Sequence, residues 1–453
     1  MAAHETLEAK VDRLFEEWNQ SDSPGAAVAV TRDGGVIYKQ GYGMANLEYD
    51  IPITPTSIFD IASVSKQFAA FAIVTLSHQG KLSIDDDIRT HLPDLPDFGN
   101  TITIRHLLHH TSGLRDWVQS LSIAGDLMDD IISFKHILKM ARHQKAFNFE
   151  PGTEYLYSNT GYNLLAEIVE RVTGDSFREW TDIHIFKPLG MIHSHFHDDY
   201  EMILKNRAYS YQAVESGGFK HAVNNTTALG SSSLYSTVED LAKWILNLET
   251  ASIGGRTVLA QMYQRGVLNN GKHISYAFGL NIDEYRGLKT VGHSGSWRGF
   301  RSHLIHFPDQ KFGVVILCNL DTFNPLRLAE QVADIYLADA LAPIETSESD
   351  KTEESAEDTK SEPLAPEQLV EFEGDYYTDE LDTTYTIRVC GNQLVAQHRR
   401  HDDILLTYAD DHFVGDVWFF PEAYFTRDDA GQVTGFKLNG GRVRNLYFEK
   451  KID

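Results

Sequence analysis

The chain has 453 residues, 42% of them hydrophobic and 11% aromatic. That is enough for two or three domains with sizeable cores, and it excludes global disorder. A formal charge of −25 without any basic stripe excludes nucleic-acid binding, and the two cysteines, Cys318 and Cys390, exclude a disulfide framework.

The N-terminus opens on an amphipathic helix pattern, with Leu7, Val11, Leu14, Phe15 and Trp18 on one face. It lacks the basic and apolar regions of an export signal, and no run approaches the roughly 20 apolar residues that span a bilayer. As written, the chain is expected in the cytoplasm; an exported protein whose leader has been removed is the alternative. Residues 25–43, "GAAVAVTRDGGVIYKQGYG", read as a hairpin pivoting on Asp33-Gly34-Gly35. Helical patterns follow at 63–79, ending at Gly80, at 159–173, ending at Gly174, and at 237–249. The last opens with Ser236 and Glu239 at capping-box spacing. A second hairpin, "SHLIHFPDQKFGVVILCN", carries Cys318 as a small buried hydrophobe. Strands at both ends with helices between them predict one antiparallel sheet closed by the two termini, plus a helical region, over residues 1–343.

Residues 344–365 hold eight acidic residues and two lysines with almost nothing to bury, the composition of a flexible acidic linker. From 366 to 453 the texture changes to short aromatic and β-branched runs, "TTYTIRV", "NQLVAQH", "DILLTYA", "VWFFPEAYFTR", "GQVTGFKLNG" and "RVRNLYFEK". Turn signals such as Gly391-Asn392 separate them, so a small closed antiparallel barrel is predicted. Three roles fit such a barrel: a lid or specificity cap, an oligomerisation module giving a homo-oligomer, or an inert appendage.

The chemistry concentrates in three places. In "SIFDIASVSKQFAA" a helix beginning near Ser63 puts Lys66 one turn on, on the same face and within reach, whereas Ser65 is rotated away. A hydroxyl needs an adjacent base, and a lysine in apolar surroundings can supply one if its pKa falls from about 10.4. Ser63 is therefore the candidate nucleophile and Ser65 a helper or packing residue. In "EPGTEYLYSNTGYNLL", Tyr157 is a second candidate base, acidified by two nearby cations, and Asn159 offers a carboxamide to a substrate amide. Tyr155 reads as packing. In "LKTVGHSGSWRGFRSHL", His293, Ser294 and Gly295 open a strand, with Gly295 allowing close approach of a backbone or ligand.

S-x-x-K, Y-x-N and H-S-G, in that order and at these separations, resemble the penicillin-recognising serine hydrolases. The class C β-lactamase-like group is most similar; it includes D-aminopeptidases, carboxypeptidases and esterases. The segments "ITIRHLLHHTSGL", "KPLGM" and "SSLYSTVEDLAKW" match as well, so the likeness covers roughly residues 8–340. It implies a β-lactamase-like α+β fold, and the appended barrel would be lipocalin-like. It also implies that Ser63 forms an acyl-enzyme, with Lys66 and Tyr157 sharing the proton work. Backbone N–H groups of Ser63 and Ser296 would hold the oxyanion, and Asn159 would orient the substrate. Relatives that bind free carboxylates usually carry Lys where this chain has His293. Imidazole is largely neutral at pH 7, which favours ester, amide or aminopeptidase substrates over β-lactams and D-Ala-D-Ala peptides. Arg298 and Arg301 are the candidates to restore an anionic contact.

No metal or cofactor is expected. His193, His195 and His197 share a face if extended, but no further ligand cluster accompanies them. His106, His109 and His110, on a helix-like run, read as supporting the site from behind or as satisfied in the core, rather than as ligands. The competing class, a binding or scaffold protein that keeps the fold without turnover, is disfavoured because all three motifs are intact. The expected partner is a small amide or ester, or a short peptide.

Overall fold

The computed structural model describes residues 5–343 and 364–451; all but the last two residues of the expected acidic linker lie outside them. The first helix, α1 (Leu7–Leu14), buries Val11 and continues through a short 3-10 turn that carries Trp18 against Phe323. Strands β1 (Ala26–Arg32) and β2 (Gly35–Tyr42) form the first hairpin. Its turn residues Asp33 and Gly34 are left-handed, at φ 49° and 84°, as a tight two-residue hairpin loop demands. Four later strands, β3 (Asn281–Tyr285), β4 (Leu288–Trp297), β5 (Phe300–Phe307) and β6 (Phe312–Cys318), complete a six-stranded antiparallel sheet in the order β3-β4-β5-β6-β1-β2. The N-terminal hairpin therefore lies against the last strand, with Val28 opposite Ile316.

Both faces of this sheet are covered, which is why β1 and β6 are apolar at nearly every position rather than alternating. Val28, Val30 and Ile316 pack with α1 and with α6 (Pro325–Tyr336). Ala27, Ala29, Val315 and Leu317 face the other way, onto α2 (Lys66–His78) and α5 (Val238–Thr250). Phe68 on α2 meets Trp244 on α5 with ring centroids 4.5 Å apart. Fully burying a side chain such as Phe68 contributes about 1.5–3 kcal/mol, so this helix is fixed by packing on nearly every side.

The helical expectations need two corrections. Residues 63–79 are not one regular helix: Ala62–Ser65 is a 3-10 turn, and α2 proper starts at Lys66. The capping box at Ser236 does not form, because Ser236 ends a short strand and its hydroxyl bonds Ser194 at 2.8 Å. Thr237 caps α5 instead, accepting from the Asp240 N–H at 3.1 Å. Helix α4 (Asn159–Thr173) ends at left-handed Gly174, where the pattern put it.

The C-terminal strands close into an eight-stranded barrel, β7 (Gly374–Thr378) to β14 (Val443–Lys450). Closure depends on β7, which pairs with β14 through Tyr376 and Lys450 and which the sequence reading did not single out. The barrel docks on α3 (Trp117–Ala124): Tyr385 Oη donates to the Ile123 carbonyl at 2.9 Å, and His401 Nε2 lies 2.7 Å from the Ser122 carbonyl. Beside it the buried Arg115 guanidinium pairs with Glu380 and donates to the Arg444 carbonyl.

Candidate active site

The structure brings Ser63, Tyr157, Asn159 and the 293–296 strand to one cleft of about 710 Å³, with Lys66 buried behind Ser63. Ser63 sits in the 3-10 turn just before α2. Its predecessor Ala62 has φ 48°, a left-handed conformation rare outside glycine. Strand β4 lies close against this turn. A Cβ on Gly295 would stand 2.3 Å from the Ile61 carbonyl oxygen and 3.1 Å from Ser63 N, so only glycine fits. Ser65 points away: it donates to the Ala62 carbonyl, accepts from the Leu234 N–H, and is buried.

Lys66 is fully buried and forms no ion pair among the described residues. Its Nζ is 2.7 Å from the Ser231 carbonyl oxygen, 2.8 Å from Asn159 Oδ1 and 3.0 Å from Ser63 Oγ. Burial, reinforced by the Arg442 charge and only opposed by Asp116, pulls its pKa well below the ordinary lysine value. The first two neighbours can only accept. A neutral amine satisfies both with its two N–H groups, and its lone pair is then free to face the Ser63 hydroxyl.

Tyr157 departs from expectation. Two cations do lie near it, Lys66 Nζ at 4.8 Å and Arg442 Cζ at 4.9 Å from the ring centroid, but both sit over its face. Burial outweighs them and pushes the phenol up, so the residue is a neutral hydroxyl and not an acidified base. The Ser63 side chain opposes the shift, yet the Tyr157 hydroxyl has no hydrogen-bond partner of ordinary geometry. A buried unpaired hydroxyl beside a nucleophile is poised for a group arriving with substrate. The Tyr157-Ser158-Asn159 segment is held from behind. His110 Nδ1 accepts the Ser158 N–H at 3.1 Å, and Asp116 Oδ2 accepts the Asn159 N–H at 2.6 Å.

His293 is buried, with Nδ1 at 2.5 Å from the Ser294 carbonyl oxygen and Nε2 at 2.9 Å from Tyr276 Oη. The carbonyl can only accept, so Nδ1 carries the proton and Nε2 accepts from Tyr276; neither nitrogen is left for a substrate. Burial drives its pKa down to about 3, so it is neutral at physiological pH. Ser294 Oγ pairs with His303 Nδ1 at 2.8 Å, while Ser296 lines the cleft.

The cations of the cleft come from elsewhere. Arg301 lines it, its Nη1 donating to the Arg298 and Phe300 carbonyls, whereas Arg298 donates to the Val223 carbonyl and is not part of the lining. The residue that the sequence reading missed is Arg442, in the turn between barrel strands β13 (Val433–Gly440) and β14. Gln119 holds this turn, accepting from Arg442 N at 2.7 Å and donating to the Gly440 carbonyl at 3.2 Å. Asn148 donates to the Arg442 carbonyl and accepts from Arg444 N. A Cβ on Gly441, at φ 56°, would lie 2.8 Å from Gln119 Oε1. The "NGGR" turn was visible in the sequence, but nothing local told that it meets residues some 300 positions earlier. Among the described residues no carboxylate lines the cleft; Asp116 lies buried beneath Arg442, 3.9 Å from it.

The remaining histidines lie outside the cleft lining, apart from the third-motif imidazole. His195 Nε2 and His197 Nδ1 bond each other at 3.0 Å, and His109 Nε2 faces the Gln264 carbonyl. Among the described residues, no group of three or more potential ligands is arranged for a metal, and no helix is long and apolar enough to cross a membrane. Tyr155 is 39% exposed at the edge of the His110 aromatic cluster.

Comparison with known proteins agrees with this geometry. The sequence profile of the beta-lactamase family matches residues 11–338. A D-aminopeptidase of Gluconobacter oxydans is 28% identical over 335 residues, 74% of this chain and 62% of the relative. The chain thus matches less than two thirds of that relative's length. Among solved structures, an octameric penicillin-binding protein homologue from Pyrococcus abyssi is 25% identical with a TM-score of 0.66, covering 98% of this chain and 99% of its own. A D-amino acid amidase from Ochrobactrum anthropi SV3, 21% identical, shares the fold over 74% of this chain and 99% of its own, at a TM-score of 0.62.

Proposed function

The chain belongs to the beta-lactamase family, and from that premise we propose that it is a serine hydrolase cleaving amide or ester bonds through an acyl-enzyme on Ser63. The observation that carries this reading is the set of partners around the Lys66 amine. Two are acceptors only, the third is a hydroxyl at 3.0 Å, and the site disfavours the ammonium form. Lys66 takes the Ser63 proton as the serine oxygen attacks the carbonyl carbon. The resulting oxyanion is held by the Ser63 and Ser296 backbone N–H groups. The proton then passes by way of the neutral Tyr157 hydroxyl to the leaving nitrogen or oxygen. Asn159, its Oδ1 engaged by Lys66, keeps its NH₂ for the substrate carbonyl. Water releases the acyl group by the same route in reverse.

The substrate class follows from charge. Among the described residues, two arginines and no carboxylate line the cleft, so a carboxylate-bearing amide or ester suits it better than a free α-ammonium. The cation that His293 does not supply comes instead from the barrel, which makes the barrel a specificity cap. The relatives named D-aminopeptidase favour a D-configured residue at the scissile bond. Homo-oligomeric assembly is expected by analogy with the octameric homologue.

The test is twofold. A fluorophosphonate probe should label the wild-type protein and the Ser65→Ala variant but not Ser63→Ala; equal loss in both serine variants contradicts the assignment. A panel of D- and L-amino-acid amides, esters and dipeptides, with free and amidated C-termini, should then show turnover lost in Ser63→Ala and a preference for free carboxylates. Labelling absent from the wild type would favour a scaffold.

A further inference from the structure

Asp60 is a buried carboxylate, 1% exposed, on a short strand just ahead of the nucleophile. It makes no ion pair among the described residues. Burial pushes its carboxyl up to about 6, the mark of a site that gives an anion little solvation. Holding such a group without a cation is costly, so its partners matter.

Those partners tie the turn of the nucleophile to a wall of the cleft. Oδ1 accepts the Ala62 N–H at 2.8 Å, and Ala62 is the left-handed residue that sets the Ser63 turn. The Asp60 backbone pairs with Tyr235, in the short strand that follows the 231–233 loop. Ser233 is itself left-handed, at φ 61°, and lies two residues after Ser231, whose carbonyl receives Lys66. Oδ2 accepts from Asn224 Nδ2 at 2.8 Å, and Asn224 Oδ1 accepts from Trp297 Nε1 at 3.0 Å. Trp297 lines the cleft. Non-glycine residues in this conformation cost on the order of 1–3 kcal/mol each and persist only where their surroundings over-determine them. One carboxylate thus braces both the turn before the nucleophile and a substrate wall. Every group facing it is a donor, which an acceptor-only side chain satisfies and an amide does not.

We propose that Asp60 is a positioning residue: through Ala62 it holds the Ser63 hydroxyl in reacting register with the Lys66 amine, and through Asn224 it couples that turn to the cleft wall. This rests on the acyl-enzyme reading above. It touches no substrate, so its effect falls on kcat rather than on KM.

The test exploits hydrogen-bond polarity. In Asp60→Asn an NH₂ group faces either Ala62 N–H or Asn224 NH₂, and in Asn224→Asp two carboxylates face each other. In the double variant Asp60→Asn/Asn224→Asp every donor again meets an acceptor. The carboxamide now at position 60 accepts from Ala62 and donates to the carboxylate now at position 224, which in turn accepts from Trp297. Each single change should lower kcat about 100-fold, with KM within about threefold, as expected when reacting groups shift by an ångström. The double variant should recover to within about tenfold of wild type. Rates are taken per active site titrated with fluorophosphonate, and melting is followed in parallel. A folded Asp60→Asn protein with wild-type kcat overturns the proposal. So does a double variant no better than either single, and if a single variant does not fold, the double variant alone decides. Wild-type protein that fluorophosphonate does not label would instead remove the acyl-enzyme reading itself, so the two failures are distinguishable.

Discussion

Among the described residues, one lysine and one arginine are withdrawn from solvent, Lys66 at 0% exposure and Arg115 at 1%. They are treated in opposite ways. Arg115, at the seam between the catalytic region and the barrel, is matched by the Glu380 carboxylate and by carbonyl oxygens of Ala146 and Arg444. Burial works against both charges of that pair, and each is opposed by the other's presence. Lys66 is given neutral acceptors and a hydroxyl, and no carboxylate within ion-pair distance among the described residues. The difference separates fastening from chemistry. A paired buried cation stays charged and fixes two elements together, whereas an unpaired one is driven toward the neutral form that accepts a proton.

The largest effect expected on this comparison is from Lys66→Met. Loss of a general base should lower kcat/KM on a p-nitrophenyl ester by about 10³-fold. The same change should raise the melting temperature at pH 7. The folded protein binds the Lys66 proton less tightly than the unfolded chain, so protons are released on folding. Stability therefore rises with pH through the window from the depressed value up to about 10.4, and neutral pH lies on its unfavourable side. A fall in melting temperature would remove the contrast with Arg115.

Glu380→Gln should do the reverse. It strands a buried guanidinium and should cost about 3–5 kcal/mol, read by calorimetry, with Ser63 still labelled by fluorophosphonate. Because Arg115 and Asn148 also hold the Arg442–Arg444 backbone, discrimination between carboxylate and amidated substrates should weaken as well. The smallest effect is that of Arg442→Ala: about 10- to 100-fold in kcat/KM for carboxylate-bearing substrates and little change for neutral esters, as for one charge-assisted hydrogen bond. Equal losses on both would show that Arg442 is a structural part of the turn.

What was legible in the sequence divides along the same seam. Helix α4 could be bounded to the residue because a 3.6-residue period runs from Asn159 to a glycine that supplies the left-handed stop. Both hairpins announced themselves through turn residues. The spacing of Ser63 and Lys66 was enough to bring their side chains together, since three residues along a helical turn is a local relation. The Tyr157 phenol was misjudged because proximity of cations can be guessed from motifs, whereas burial and the face they approach cannot. Arg442 was invisible for a related reason: its place in the cleft is made by bonds to Gln119 and Asn148, contacts of long sequence separation between regions of different texture. Thr237 displaced Ser236 as the cap because Ser236 was already taken by strand pairing and by Ser194.

The most direct measurement is a pH titration of the Lys66 side-chain amine by NMR on lysine-labelled protein, assigned against Lys66→Met. The amine should deprotonate well below the ordinary lysine value of about 10.4, and the rate of Ser63 labelling should rise along the same curve. An amine that keeps its proton up to that ordinary value, with labelling indifferent to it, would contradict the account.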